Sequence, residues 1–112
     1  MKAGKNQRVV ERYIDAVNDN NRDRIVSFFT EDSVFENMPE QALSGRDAIW
    51  EAMAPFHQSA DRVDWQVDRL QELERGSVLT VGKLRYLLDG DWLEFDVNGL
   101  FEIKGSKIVH WH

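Results

Sequence analysis

Residues 77–103 read SVLTVGKLRYLLDGDWLEFDVNGLFEI, the pattern of a long β-hairpin. Asp89-Gly90 is a strong two-residue turn signal, because a type I′ turn needs positive φ at both central positions. We therefore expect strands over 77–88 and 91–103 joined by this turn. The resulting register pairs Tyr86 with Leu93, Leu84 with Phe95, Gly82 with Val97, Leu87 with Trp92, Arg85 with Glu94, and Lys83 with Asp96.

The two faces of this hairpin differ in character, since side chains alternate along a strand. One face is apolar and makes the better interior. The other carries the charged quartet Lys83, Arg85, Glu94 and Asp96 beside an apolar strip of Leu79, Val81, Leu87 and Trp92. The quartet is either a displaced arginine–carboxylate active site or a set of cross-strand pairs at the surface, and the apolar opposite face favours the second interpretation.

The segments before and after the hairpin predict an α+β domain. Apolar spacing of three and four indicates helices over 6–19, 22–29 and 45–58, the last kinked or ended early by Pro55. A short strand is expected over 33–37, closed by Met38-Pro39. Val63, Trp65 and Val67 alternate with polar residues as in a half-buried strand, and 107–112 should form the last strand after a turn at 104–106. Helices followed by a meander of strands favour helices packed on one face of an antiparallel sheet.

Composition narrows the functional classes. The 112 residues are expected to form one domain over 1–112, and the chain has no cysteine, so disulfides and thiolate metal sites are excluded. A net charge of −6 argues against nucleic-acid binding, which needs a basic face. No apolar run approaches the length of a membrane span, so we expect a cytoplasmic protein. No cofactor is expected either.

Two groups of motifs resemble the limonene-1,2-epoxide hydrolases. One is Phe35-Glu36-Asn37-Met38-Pro39 followed by Ser44-Gly45-Arg46-Asp47-Ala48. The other is Val97–Ile103 with Gly105–Trp111. These enzymes are part of the broader SnoaL-like group, which has the nuclear-transport-factor-2-like (cystatin-like) fold. The resemblance implies a cone-shaped domain in which helices pack on a curved antiparallel sheet around an internal pocket.

The family's Asp-Arg-Asp set, in which one aspartate activates a water and the other protonates the epoxide, does not carry over. Gly82 stands where the family has its arginine, and Leu84 where it has the first aspartate. The second aspartate would fall one residue after His112, and Phe35 replaces a tyrosine. Asn37 matches. The resemblance therefore implies a diverged or inactive relative of these hydrolases, with no confident catalytic residue.

The apolar face predicts a ligand pocket rather than a complete active site. Its expected members are Phe35, Asn37, Met53, Gly82, Leu84, Tyr86, Phe95, Val97 and Trp111. Asn37 and Tyr86 are the catalytic candidates, each with an alternative: Asn37 either orients a water or caps a turn, and Tyr86 either binds a ligand or is a core tyrosine.

The three histidines do not predict a metal site. We interpret His57, near the end of the third helix, as a surface residue. His110 and His112 share the strand face opposite Trp111, and a zinc site there would need a third ligand that the sequence does not place.

Three functions remain open at this point. The first is a domain that binds a small apolar molecule. The second is a SnoaL-like cyclase or isomerase, which would need an acid or base in the pocket. The third is a non-catalytic dimerisation scaffold. For any of them we expect a homodimer through Leu79, Val81, Leu87 and Trp92, because exposed apolar patches often mark interfaces.

Overall fold

The computed structural model describes residues 4–37 and 40–112. Its helices are α1 (Lys5–Asn18), α2 (Arg22–Ser27) and α3 (Arg46–Ser59). The strands are β1 (Val34–Phe35), β2 (Leu43–Ser44), β3 (Arg62–Glu72), β4 (Val78–Leu88), β5 (Asp91–Lys104) and β6 (Lys107–Trp111). None of the helices in these ranges is long and apolar enough to cross a membrane. The predicted class, α+β with helices packed on one curved sheet, is confirmed.

The predicted hairpin and its register are confirmed. β4 and β5 pair antiparallel, with Tyr86 opposite Leu93 and Arg85 opposite Glu94. Asp89 and Gly90 have φ values of 51° and 86°, the positive values that a type I′ turn needs. Because the turn residues fix the register, they also decide which side chains face the helices.

The sheet is mixed, which corrects the prediction of a purely antiparallel one. Its order is β2-β1-β6-β5-β4-β3, and β1 runs parallel to β6, pairing Phe35 with Trp111. Strand β2 was not predicted, and β1 is shorter than the expected 33–37. Met38-Pro39, expected to close that strand, lies outside the described residues.

The prediction that Pro55 would end the third helix early is wrong. Helix α3 continues to Ser59, and the N–H of Ala60 still donates to the carbonyl of Phe56. A proline removes the donor to the carbonyl four residues earlier, which is Glu51. Glu51 and Pro55 are both exposed, so water can hydrogen-bond to that carbonyl and the helix tolerates the proline.

The core is centred on Tyr13 of α1, which is fully buried. Five aromatic rings contact it edge-on at centroid distances of 5.4 to 5.9 Å, namely those of Phe28, Phe29, Trp65, Phe101 and Trp111. Edge-on packing is a favoured geometry between aromatic rings. One helix residue thereby joins α1 to the inner face of the sheet.

Helix α1 is also hydrogen-bonded along β3, which is an edge strand of the sheet. Near the start of α1, the backbone N–H of Gln7 donates to the carboxylate of Glu72 at 2.9 Å, and the side chain of Gln7 accepts from the N–H of Glu72 at 3.3 Å. At the other end, the side chain of Asn18 accepts from the N–H of Trp65 at 2.6 Å. These contacts fix the position of the helix over the sheet.

Candidate functional site

A cavity of about 650 Å³ lies between the helices and the inner face of the sheet. Helices α1 and α3 contribute to one side of it, and residues of all six strands to the other. Most of its wall is aromatic or aliphatic. The wall includes Tyr13, Val17, Phe35, Leu43, Met53, Phe56, Trp65, Leu84, Tyr86, Phe95, Val97 and Trp111.

Carboxylates border this cavity only where its residues are solvent-accessible. Glu40 and Asp96 are exposed and Glu36 is half-buried. The acidic groups therefore lie at the opening, and the interior is mainly apolar.

The structure brings eight of the nine predicted pocket residues together in this wall. Asn37 lies at its exposed rim, where the Asn37 carbonyl accepts a hydrogen bond from the N–H of Glu40. Trp111 stacks on Phe101 at 4.6 Å and on Trp65 at 5.8 Å, so it forms the floor.

Gly82 is the predicted member that does not line the cavity. A Cβ atom at Gly82 would lie 2.1 Å from the carbonyl oxygen of Gln66 and 3.0 Å from the Cα of Val67. Strand β3 has a register shift between Val67 and Arg69, next to this contact. The backbone of β3 thus occupies the space that a longer side chain at position 82 would need.

His57 is buried, at 4% exposure, which corrects its interpretation as a surface residue. The side-chain amide of Asn20 donates through Nδ2 to the carbonyl of His57 at 2.9 Å, and its Oδ1 lies 2.8 Å from Nδ1 of the ring. Because Oδ1 can only accept, Nδ1 of His57 must donate. Asn20 holds this position with a φ of 51°, a left-handed conformation that asparagine tolerates better than most residues.

This tautomer leaves the lone pair on Nε2 of His57 facing Tyr86. The Tyr86 hydroxyl lies 3.3 Å from Nε2 and is placed to donate to it. Burial lowers the pKa of His57 from 6.5 to about 4 and raises the pKa of Tyr86. Both groups are therefore neutral at physiological pH, and both line the cavity.

Two further polar atoms belong to residues of the cavity wall. The hydroxyl of Tyr13 has a weak partner, the sulfur of Met53 at 3.9 Å, and burial raises the pKa of this tyrosine. The indole Nε1 of Trp65 is buried without a hydrogen-bond partner among the described residues. From the sequence, Tyr13 belongs to the apolar face of the first helix and Trp65 to the core or the pocket wall, because apolar periodicity does not separate a core face from a cavity wall.

The charged quartet lies on the outer face of the sheet as surface ion pairs. Lys83 approaches Asp96 at 2.9 Å and Glu94 at 3.5 Å. Arg85 approaches Glu94 at 3.3 Å, and its guanidinium lies 4.2 Å from the ring centroid of Trp92. These contacts support the cross-strand interpretation, and the carboxylates raise the pKa of Lys83.

The predicted interface residues share this outer face. Leu79, Val81 and Leu87 are half-buried, and Trp92 is 40% exposed. The chain thus presents an apolar strip flanked by both signs of charge.

His110 and His112 lie on the face opposite Trp111, as their position in the strand predicted. Their rings stack at 4.3 Å. Both approach Glu102 of β5, and His110 also contacts Glu36.

A family model described as SnoaL-like domain matches residues 10–111, nearly the full length. The chain belongs to the SnoaL-like domain family.

Solved structures agree with this SnoaL-like assignment at the level of the fold. An uncharacterized cystatin-fold protein from Novosphingobium aromaticivorans has a TM-score of 0.80 at 20% identity, over 97% of this chain and 97% of its own. The epoxide hydrolase/cyclase-like enzyme SalBIII, described in pyran ring formation of salinomycin, has a TM-score of 0.81 at 23% identity, over 96% and 87%. An epoxide hydrolase from M. tuberculosis, described as LEH-like, has a TM-score of 0.76 at 21% identity, over 95% and 78%. At these identities the likeness establishes a shared fold.

Proposed function

We propose that this SnoaL-like domain binds a small, mostly apolar molecule in the cavity between its helices and its sheet. The observation that carries the proposal is the cavity itself. Its volume of about 650 Å³ falls within the range of about 300–1,000 Å³ typical of small-molecule sites, and its wall is mainly apolar. A scaffold without a ligand would be expected to fill this cone with side chains.

The polar groups of the cavity indicate which hydrogen-bonding groups the ligand carries. The Tyr86 hydroxyl proton is directed to Nε2 of His57, so the Tyr86 oxygen keeps lone pairs for a ligand donor. Asn37 at the rim can donate or accept. A terpenoid or short aliphatic molecule with one hydroxyl group would satisfy these contacts and bury its remaining surface against the aromatic wall.

Ordinary epoxide hydrolysis is not expected from this site. Leu84, at the position where the resemblance implies a family aspartate, presents an aliphatic side chain to the cavity, and position 82 has no room for an arginine. Residues that act as a unit lose most of their effect when one member is removed. With limonene 1,2-epoxide we therefore expect turnover far below about 1 per second, the low end of typical enzymes. A chromatographic assay of diol formation that gives ordinary rates would contradict this prediction.

A second candidate function, acid–base catalysis as in cyclases or isomerases, is favoured by one observation. The His57–Tyr86 pair places a neutral imidazole and a hydroxyl in the cavity wall. A base with a pKa of about 4 is weak, because efficient general bases have pKa values near the working pH. We therefore place ligand binding first. Turnover of any bound ligand that His57→Gln abolishes without weakening binding would reverse this order.

The binding proposal is tested by a thermal-shift screen with terpenoid alcohols and short aliphatic alcohols. A ligand at one hundred times its dissociation constant stabilises the folded state by about 2.7 kcal/mol. Leu84→Trp should fill the cavity and abolish the shifts. Gln66→Trp is the matched control, because Gln66 is exposed on the adjacent strand and a tryptophan there leaves the cavity open.

Two results would contradict the binding proposal. In one, no compound of either class shifts the wild-type melting temperature. In the other, Leu84→Trp retains the shifts. Either result would favour the scaffold function.

A further inference from the structure

Four polar side chains converge where β1, β5 and β6 meet, on the face of the sheet opposite Trp111. Glu102 of β5 lies directly across from His110 of β6, and the bulge that follows Glu102 does not disturb this pair. His112 is two residues further on and therefore has the same orientation. Glu36 follows β1, which runs parallel to β6.

The backbone holds these side chains in place. The N–H and carbonyl of His112 both bond to Leu100, at 3.0 and 2.7 Å. The N–H of Glu36 donates to the carbonyl of Trp111 at 2.8 Å. The cluster thus rests on paired strands, which position metal ligands more accurately than loops do.

We propose that Glu102, His110 and His112 form a binding site for a divalent transition-metal ion such as Zn²⁺, with Glu36 orienting His110. One ligand atom from each of the three residues lies within 4.8 Å of the others. Nε2 of His112 is 3.0 Å from Oε2 of Glu102, and Nδ1 of His110 is 3.6 Å from the same oxygen.

These distances match the edge of a tetrahedral zinc site. With metal–ligand bonds of about 2.0–2.1 Å, neighbouring ligand atoms of a tetrahedron lie about 3.3 Å apart. Two of the three distances between ligand atoms, 3.0 and 3.6 Å, bracket this value, and all three atoms lie within 4.8 Å of one another. Two histidines and one glutamate are also a known protein ligand set for zinc that leaves the fourth position open.

The tautomer of His110 fits metal binding. Its Nε2 contacts the carboxylate of Glu36, and since a carboxylate only accepts, Nε2 must carry the proton. In the tautomer with this proton on Nε2 alone, the lone pair is on Nδ1, the atom that approaches Glu102. Metal-bound histidines almost always donate their other ring N–H to a carboxylate, carbonyl or water in this way.

The cluster is accessible to solvent, and its ligand atoms suit a transition-metal ion. The side chains of Glu102, His110 and His112 are 46%, 32% and 39% exposed, so an ion can reach them from solvent. Glu36 and His112 also line the opening of the cavity, which places the site at its rim. Imidazole nitrogens favour Zn²⁺, Co²⁺, Ni²⁺ and Cu²⁺ over Mg²⁺ and Ca²⁺.

The test uses untagged protein stripped of metal with a chelator. Titration with Co²⁺, followed by visible absorption, should show one saturable equivalent with a low-symmetry spectrum, which Zn²⁺ displaces and Mg²⁺ does not. His110→Ala, His112→Ala and Glu102→Gln should each weaken Co²⁺ and Zn²⁺ binding more than Glu36→Gln, for which we expect a loss of about 10–100-fold. Glu94→Gln is the matched control, because Glu94 is another exposed carboxylate of β5 and should leave the affinity unchanged.

Circular dichroism of each variant separates loss of a ligand from loss of the fold. If the folded wild type shows no saturable Co²⁺ or Zn²⁺ binding, the four side chains form only an ion-pair network and the proposal is wrong. Binding that Glu102→Gln leaves unchanged would also contradict it, because two histidines alone would then suffice. The Leu84→Trp variant, whose cavity is filled, should still bind Zn²⁺. A failure of the cavity proposal can therefore be distinguished from a failure of this one.

Discussion

The ring of His57 is held by two residues from outside its own helix. Asn20, which follows α1, and Tyr86 of β4 enclose it. Neither contact is local in sequence, so no pattern around His57 signals it. The positive φ of Asn20, which directs its side chain to His57, was not predicted, because the run of asparagines there indicated only the end of a helix.

The buried His57 should make stability fall as the pH decreases. The unfolded chain binds a proton at this residue below about pH 6.5, whereas the folded chain does so only below about pH 4. Between these values the unfolded state binds more protons, so acidification favours unfolding. From pH 7 to pH 4 we expect the wild type to lose about 2–3 kcal/mol more than His57→Gln, measured by urea unfolding. Equal losses in both proteins would contradict the burial of His57.

Gly82 should not tolerate a side chain. In Gly82→Ala the new Cβ would lie 2.1 Å from the carbonyl of Gln66, a backbone atom that cannot move without shifting β3. We expect a loss of about 1–3 kcal/mol or more in the free energy of unfolding. Gly90→Asn is the control, since nothing lies within 4 Å of that position and asparagine accepts its left-handed conformation. Wild-type stability of Gly82→Ala by urea unfolding would show that β3 can move.

At the scale of elements, the hairpin was predictable and the edge of the sheet was not. Asp89-Gly90 and strict alternation gave β4 and β5 their register because the information is local. Strands β1 and β2 have two residues each, too few to show a period, and their pairing depends on contacts with distant residues. The part of the cavity wall on β4 and β5 could be predicted, because the alternation along these strands is local. The contact between Asn20 and His57 could not be predicted, because it joins distant residues.

Glu72 should stabilise α1 from outside the helix. No side chain within the helix caps its N-terminus, and its first turn has no acidic residue. The carboxylate of Glu72 accepts from the N–H of Gln7 and lies near the positive end of the helix dipole. We expect Glu72→Gln to lower the free energy of unfolding by about 0.5–2 kcal/mol, as loss of a cap does. Glu74→Gln, an exposed acid in the next turn, is the control for urea unfolding. Equal effects of the two substitutions would contradict the capping role.

At the scale of the molecule, the homodimer through the outer strip stays a prediction. The strip combines apolar residues with both signs of charge, which permits a self-complementary two-fold contact. Trp92, stacked against Arg85, is its most exposed member. We expect sedimentation to show a wild-type dimer at micromolar concentration and a Trp92→Asp monomer, since an interfacial tryptophan can contribute 2 kcal/mol or more, about 30-fold in affinity.

Leu73→Asp is the control for this prediction. Leu73 is 38% exposed, nearly as much as Trp92, but lies at the β3–β4 turn and outside the strip. Its substitution should leave the oligomeric state unchanged. A monomeric wild type would mean that the strip has another use.

The hydrogen bonds between α1 and β3 also bear on how the protein avoids aggregation. An edge strand with free N–H groups is a template on which a strand of another molecule can pair. Asn18 occupies the N–H of Trp65 and Gln7 that of Glu72, near the two ends of β3. The register shift between them further interrupts the ladder. The contacts of the first helix thereby shorten the stretch of this edge that is open to intermolecular pairing.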